Sequence, residues 1–190
     1  MQLKHGSVSS PPSRAQLYLE NMEANGLESG KFFPETRAGL RDPFAPDDVP
    51  NVQPPADGKI ASAGQPHAAM LDETGRDWKK HQVAAGQNLD ITWAFSMPHK
   101  TRRFNYFLTK SDWNPHQPLG RDQFEPKPVH SVQLTTQPYW DAAAGDLIPA
   151  NPTTHTVRLP QRTGHQVLLA VWEVADTGNA FYQVIDLDFA

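Results

Sequence analysis

The pattern of apolar and polar residues changes at about residue 88. Before that point turn residues dominate, and after it short runs of alternating apolar and polar residues follow one another, which predicts β-strands separated by turns. In the run 88–95 every second residue is large and apolar, so we expect one face of this strand to be buried. These residues are Leu89, Ile91, Trp93 and Phe95.

Two runs near the C-terminus predict the centre of a sheet. Residues 166–174 are mostly apolar, as expected of a strand that is buried on both faces. Residues 181–189 alternate again, and the segment 176–179 between the two runs has turn chemistry. We therefore expect these two strands to be antiparallel neighbours.

Six or seven strands follow from this pattern, because residues 6–9, 104–109 and 154–159 are also strand-like. Short strands separated by turn signals predict an all-β sandwich. After the first strand, residues 12–55 form a loop-rich insertion with a short helical stretch over 14–24. A weakly structured segment of this length in a compact domain is usually functional or disordered.

Composition limits the classes of function. A chain of 190 residues suits a single domain that buries roughly 70% of the surface exposed by its unfolded form. It contains 17 basic and 21 acidic residues and no basic stripe, so we do not expect nucleic acid as a partner. No apolar run is long enough for a membrane span. Cysteine is absent, which excludes disulfides, thiolate zinc sites and blue-copper electron transfer.

Two histidines are the candidate metal ligands, His5 near the start of the chain and His99 just after the run 88–95. If His5 were the first residue, its imidazole and its free amine would chelate one ion, and a second imidazole would complete a three-nitrogen set. Such a set suits Cu(II), which favours planar nitrogen and oxygen coordination. The alternative is that they are surface histidines on a frayed tail and a loop. The remaining histidines match no metal spacing.

The first four residues lack the basic start, apolar stretch and small residues of a secretory signal. We expect residues 1–4 to be a non-native or unprocessed leader in front of a single domain formed by residues 5–190. Because Lys4 turns the amine of His5 into an amide, this form is expected not to build the complete metal site. The alternative, that Met1 is the mature first residue, predicts an intracellular sandwich without a polysaccharide partner.

Seven motifs occur in a fixed order along the chain. They are His5-Gly6, 12–15, 56–63, 105–110, 113–119, Pro149-Ala150 and 169–183. Together they resemble the bacterial chitin-binding proteins classed as lytic polysaccharide monooxygenases (auxiliary activity family ten). The resemblance runs from His5 to the C-terminus and is weakest over residues 17–51. Each motif alone is weak evidence, whereas their order and spacing are specific.

The resemblance implies an immunoglobulin- or fibronectin-III-like sandwich with one copper ion on a flat surface. His5, through its amine and side chain, and His99 would hold the copper, with Phe181 as the buried aromatic near the axial position. Members cleave β-1,4 linkages of crystalline chitin or cellulose oxidatively, using an external electron donor with O2 or H2O2. We expect chitin rather than cellulose, C1 oxidation, secretion of the native form and a monomer.

The resemblance also implies a substrate-facing surface around the metal. Asp176 and Asn179 would belong to it, although both suit a turn equally well. Phe32 would be the exposed aromatic that stacks on a sugar ring, unless it and Phe33 are both buried to anchor the loop. Trp172 is expected to pack beneath the site. Weaker candidates for the surface are Glu35, Thr36 and Ser96.

Two positions depart from the family pattern. Met97 stands where many relatives have alanine, and we expect it either to crowd the axial position or to offer a weak thioether contact. Ala38 stands where relatives often have a glutamate close to the metal ligands, a role that Glu35 is a candidate to fill. The main alternative function is therefore a non-catalytic chitin adhesin or delivery module. Hydrolysis is disfavoured, because no pair of carboxylates stands out.

Overall fold

Two β-sheets form the protein in a computed structural model that describes residues 5–190; the expected leader, residues 1–4, lies outside the described residues. The strands are β1 Gly6–Ser10, β2 Glu28–Gly30, β3 His81–Val83, β4 Asn88–Phe95, β5 Thr101–Leu108, β6 His130–Gln133, β7 Thr153–Arg158, β8 Gly164–Val174 and β9 Asn179–Phe189. The helices are α1 Arg14–Tyr18, α2 Asn21–Asn25 and the 3₁₀ segments Pro66–Asp72, Arg121–Gln123 and Ala142–Leu147.

The smaller sheet has the strand order β1-β4-β7, and the larger sheet has the order β2-β9-β8-β5-β6. All of these pairings are antiparallel, and β3 adds a parallel pairing to β9. The predicted neighbours β8 and β9 pair from Gly164↔Phe189 to Glu173↔Ala180. The predicted all-β sandwich, with its loop-and-short-helix insertion after the first strand, is confirmed.

The core lies on both sides of the larger sheet, as the apolar run of β8 predicts. Between the sheets, the apolar face of β4 packs against alternate residues of β5, β8 and β9, with Trp93 and Trp172 fully buried at the centre. On the other side, the remaining alternate residues of β8 and β9 pack against Leu27 and Phe33 of the insertion and against Ile60, which follows it. Because β8 is covered on both faces, it needs no polar face.

Strand β5 begins three residues earlier than the pattern predicts. Its first residues, Thr101, Arg102 and Arg103, are polar or charged, which hid them from a search for apolar alternation. The guanidinium of Arg102 is buried and forms a bidentate ion pair with Asp48 of the insertion, at 2.6 and 2.9 Å. A charged side chain is buried here because its partner is buried with it.

One end of the sandwich collects the segments that carry the candidate residues. The start of β1 pairs with the end of β4 at Gly6↔Phe95, and the start of β5 pairs with the end of β8 at Thr101↔Val174. Residue 5, the turn 96–100 and the turn 175–178 therefore meet at this end, which we call the site end. Within residues 5–190, no helix is long and apolar enough to cross a membrane.

A candidate metal centre at the site end

His5 is fixed to the site end by its main chain. Its carbonyl oxygen accepts hydrogen bonds from the backbone N–H of Ser96, at 2.9 Å, and from the Ser96 hydroxyl, at 3.1 Å. These bonds continue the β1–β4 pairing by one residue. They bring His5 alongside the turn that carries His99, which lies 94 positions further along the chain.

Both imidazoles pack against one aromatic side chain. The ring centroid of Phe181 is 5.7 Å from that of His5 and 5.9 Å from that of His99. Phe181 is fully buried and stacks on Trp172 at 4.6 Å, and the indole N–H of Trp172 donates to the Thr101 hydroxyl at 2.7 Å. The structure thus brings the two candidate ligands together above a rigid aromatic layer, with Trp172 beneath.

His99 is oriented by a carboxylate. Its Nδ1 lies 3.0 Å from Oδ1 of Asp176, a hydrogen bond between two half-buried or buried side chains. Because a carboxylate accepts, Nδ1 carries the proton, and Nε2 is then the nitrogen that can bind a metal. The family resemblance implies that Asp176 belongs to the substrate surface, whereas its contact with His99 is that of a group that orients a metal-ligand side chain.

A second carboxylate, that of Glu28, lies beside His5. The sequence motifs do not indicate it. Oε2 of Glu28 is 3.9 Å from Nε2 of His5, and Oε1 of Glu28 accepts a 2.6 Å hydrogen bond from the Asn179 side-chain amide. The pairing of β2 with β9 places Glu28 opposite Phe181. Glu28 lies where the family resemblance is weakest and β2 is only three residues long, so the sequence offered little signal for it.

The electrostatics of the site favour neutral imidazole at His5. Burial lowers the pKa of His5, the carboxylate of Glu28 opposes this effect, and the neighbouring His99 adds to it. A histidine must be neutral to bind a metal ion. Within the described residues, no group of three or more His, Asp and Glu side chains could hold a metal. His5 and His99 are the two side chains that the expected copper site would use, and the amine of His5 is the third donor that the family resemblance implies.

The insertion approaches the site end through Lys31 and Phe32. The buried ammonium of Lys31 donates to the carbonyls of Val174 and Thr177, at 2.7 and 2.8 Å, and so holds both sides of the turn that carries Asp176. Burial lowers the pKa of Lys31 to about 8. Phe32 has a φ of 78°, uncommon for a bulky residue, and its N–H donates to the Glu173 carboxylate.

The two phenylalanines of the insertion have different environments. Phe32 is half-buried, whereas Phe33 is buried in edge-on contact with Phe107 and Phe124. One ring is buried, as expected, whereas Phe32, expected to be the exposed ring, is half-buried; the alternative that both rings are buried does not hold. The other surface candidates, Glu35, Thr36 and Ser96, are exposed, as is Ala38, while Met97 is half-buried.

The sequence pattern does not indicate two exposed aromatic residues near the site end. Phe44, in the insertion, and Trp140, in the connection 134–152 between β6 and β7, are 69% and 60% exposed. The side chain of Gln137 donates to the carbonyl of Phe44 and ties the two loops together. Nothing in the local sequence separates these aromatics from core residues, because their exposure depends on how the loops pack.

Comparisons with known proteins agree with this geometry. A family model described as "Lytic polysaccharide mono-oxygenase, cellulose-degrading" matches residues 5–187. GlcNAc-binding protein A of Vibrio campbellii is 42% identical over 145 residues, which cover 76% of this chain and 27% of that protein. The chain thus spans about a quarter of the length of the first curated relatives that it matches.

Solved structures share the fold over almost the whole chain. A chitin binding domain from Burkholderia pseudomallei is 52% identical with a TM-score of 0.96, covering 99% of this chain and all of that one. A Bacillus amyloliquefaciens CBM33 protein, solved in complex with Cu(I), is 30% identical with a TM-score of 0.70, covering 98% of this chain and all of that one. The relation therefore includes the segments that form the site end.

Proposed function

The chain belongs to the lytic polysaccharide monooxygenase family, and from this premise we propose that it is a secreted, copper-dependent enzyme that cleaves β-1,4 linkages of crystalline chitin oxidatively, at C1. The observation that carries the proposal is the convergence of His5 and His99 on Phe181. Two imidazoles from segments far apart in the chain, each beside its own carboxylate, make a site rather than a chance pair of surface histidines.

In the proposed site, His5 and His99 hold one copper ion, with the main-chain amine of His5 as the third nitrogen when His5 is the first residue. Copper, when bound, supplies the redox chemistry that uses an external electron donor with O2 or H2O2. Phe181 keeps water and strong donors from one side of the site, because its ring is fully buried against both imidazoles. Asp176 holds the proton on Nδ1 of His99.

The surface around the proposed site suits a flat insoluble substrate. We propose that half-buried Phe32 and the exposed side chains of Glu35, Thr36 and Ser96 offer stacking and hydrogen bonding to this substrate. Chitin is favoured over cellulose because similar proteins carry the names "GlcNAc-binding protein A" and "chitin binding domain". We propose that the protein acts as a monomer on this surface, without a nucleic-acid partner.

The proposal is tested by mass spectrometry of soluble products released from β-chitin and from cellulose. The enzyme would be a chain whose first residue is His5, with a reductant present. We expect oligosaccharides oxidised at C1 from chitin, and none from the His99→Ala variant or without reductant. Only unoxidised material from the parent chain would reject the proposed activity.

A non-catalytic chitin-binding module is the second candidate function. Two observations favour it: Met97 and Ala38 occupy positions where the family pattern differs, and the relatives are named for binding. A chain beginning at His5 that adsorbs to β-chitin and releases no oxidised product would favour this function. Copper-loaded spectra of Met97→Ala test the first departure, because an unchanged spectrum would show that Met97 does not contact the metal.

A further inference from the structure

We propose that Glu173 is a positioning residue for substrate binding, which holds the main chain of Phe32 so that the ring of Phe32 lies beside the turn 175–178 at the site end. This inference rests on the proposed function, because it takes the surface that contains Phe32 to bind chitin. Glu173 itself is a buried residue of β8 and does not face that surface. Its carboxylate reaches the insertion through a hydrogen bond to Phe32.

The main chain of Phe32 has a conformation that its residue type does not favour. Its φ of 78° lies in the left-handed region, which glycine adopts freely and a bulky residue does not. Such a conformation persists only where the surroundings fix it, and it occurs most often at functional sites. The N–H of Phe32 donates to Oε1 of Glu173 at 3.1 Å. This hydrogen bond ties the strained residue to the larger sheet.

Glu173 can hold Phe32 because its own carboxylate is fixed. Its Oε2 accepts from the guanidinium of Arg103 at 2.7 Å, and Arg103 is its neighbour in the β5–β8 pairing. The same guanidinium donates to Asp42 of the insertion at 2.6 Å. A buried carboxylate destabilises a protein unless it is paired and hydrogen-bonded. Here one oxygen forms the ion pair, and the other accepts the N–H of Phe32.

The ring of Phe32 is placed by the same end of β8. The ammonium of Lys31 lies 5.5 Å from the ring centroid, within the range of a cation–π contact. That ammonium donates to the carbonyls of Val174 and Thr177, on either side of Asp176. Two consecutive residues of β8 thus hold the main chain directly and the ring through Lys31. A glycine in place of Phe32 would relieve the strain but offer no ring, so we infer that the strained conformation serves to present it.

Adsorption isotherms of the metal-free full chain on β-chitin test the inference. Phe32→Ala removes the ring and should weaken binding by about fivefold in Kd. In Glu173→Gln the amide oxygen should face Arg103, because hydrogen bonds from a charged donor are the stronger ones. The amide NH2 is then left facing the N–H of Phe32, which loses its acceptor. We therefore expect Glu173→Gln to lose most of the affinity that Phe32→Ala loses.

The double variant Phe32→Ala/Glu173→Gln separates positioning from general damage. If Glu173 acts through Phe32, the double variant binds chitin as Phe32→Ala does, whereas damage to the whole site end would add a further loss. The matched control is Asp186→Asn. Asp186 is a buried carboxylate paired with Arg14, and it lies opposite Val167, towards the other end of the larger sheet. Its variant should be less stable than the parent but bind chitin with unchanged Kd.

A second measurement does not require Glu173→Gln to fold. Phe32→Gly should unfold at a higher denaturant concentration than Phe32→Ala, since glycine adopts a positive φ without strain. An unchanged isotherm for Phe32→Ala or for Glu173→Gln, additive losses in the double variant, or equal resistance of Phe32→Gly and Phe32→Ala would overturn the inference. Failure of a chain beginning at His5 to oxidise chitin would count against the proposed function alone, because adsorption and unfolding of the metal-free protein need no copper.

Discussion

At the scale of single residues, protonation depends on the partners that each side chain meets. His155 lies in β7 and accepts a 2.6 Å hydrogen bond at Nδ1 from the hydroxyl of Tyr106, which is buried. Burial lowers the pKa of His155 to about 4, and the neighbouring His130 adds to this effect. Burial likewise raises the pKa of Tyr106, so the phenol keeps its proton and remains the donor.

This environment predicts a pH dependence of stability. In the unfolded chain the pKa of His155 returns to about 6.5, so between pH 6.5 and pH 4 the unfolded state binds more protons than the folded state. The free energy of unfolding should therefore fall as the pH is lowered through this range, by on the order of 1 kcal/mol from this residue, because solvent screens part of the effect at a half-buried ring. Denaturant unfolding at several pH values measures the slope.

The variant His155→Gln separates this contribution from those of other groups. Glutamine keeps an acceptor for Tyr106 but does not titrate, so we expect a shallower loss of stability below pH 6.5. His116→Gln is the control, since His116 is exposed and its removal should leave the slope as it is. Equal slopes in the parent and in His155→Gln would show that this histidine is not the source.

At the scale of elements, the site end depends on loops that are anchored by buried charges. Arg102, at the start of β5, pairs with Asp48 of the insertion and also donates to the carbonyls of Leu134 and Thr136. One guanidinium thus joins β5, the insertion and the connection 134–152. Loops held in this way can present side chains at fixed positions without regular secondary structure.

We predict that Arg102→Met destabilises the protein by about 3–5 kcal/mol, because Asp48 is left buried without a counter-charge. The double variant Arg102→Met/Asp48→Leu should recover part of this loss, since it removes the uncompensated charge. Arg41→Met, in the same insertion but exposed, should change the free energy of unfolding by less than about 0.5 kcal/mol. A double variant no more stable than Arg102→Met would contradict the explanation.

The strands that the sequence predicts are those with a clear apolar period. The apolar pattern predicts β4, β8 and β9, because nearly every residue or every second residue of each strand is buried and therefore apolar. β2, β3 and β6 were not, because each is three or four residues long and depends on the edge of a sheet that other strands form. The charged start of β5 was missed for a related reason, since the partner of Arg102 lies 54 residues away.

At the scale of the whole molecule, the site end combines the candidate metal centre with exposed apolar side chains. Within residues 5–190, all five large exposed hydrophobic residues lie in the insertion or in the connection 134–152, and four of them lie outside the helices. These four are Phe44, Val52, Trp140 and Ile148. The Gln137–Phe44 hydrogen bond joins the loops of Phe44 and Trp140, and neighbouring exposed apolar side chains mark an interaction surface more often than scattered ones do.

We predict that Phe44→Ala and Trp140→Ala each weaken adsorption to β-chitin. A ring that stacks on a sugar buries part of its apolar surface. Removing the ring should cost about 1 kcal/mol of binding free energy, or about fivefold in Kd, for each residue. The control is Met22→Ala, because Met22 is the large exposed hydrophobic residue of the insertion that lies in a helix, α2, rather than in a loop. Adsorption isotherms measure the effect, and an unchanged isotherm for the double variant would remove these loops from the binding surface.

The candidate ligands could be proposed from the sequence because the family resemblance assigns both positions, and the structure brings both to Phe181. The carboxylates beside them could not be assigned as their partners from the sequence. Asp176 and Glu28 acquire their roles from strand pairing that places residues 77 and 23 positions away beside each histidine. Local pattern carries no information on such contacts, which arise only when the sheet forms.

The most direct measurement for the whole account is Cu(II) titration with electron paramagnetic resonance on a chain that begins at His5, beside the full chain. The account predicts one tightly bound Cu(II) with nitrogen ligands in the shorter chain, a much weaker and different signal when Lys4 precedes His5, and loss of the site in His99→Ala. Identical copper binding with and without residues 1–4, or binding that survives His99→Ala, would contradict it.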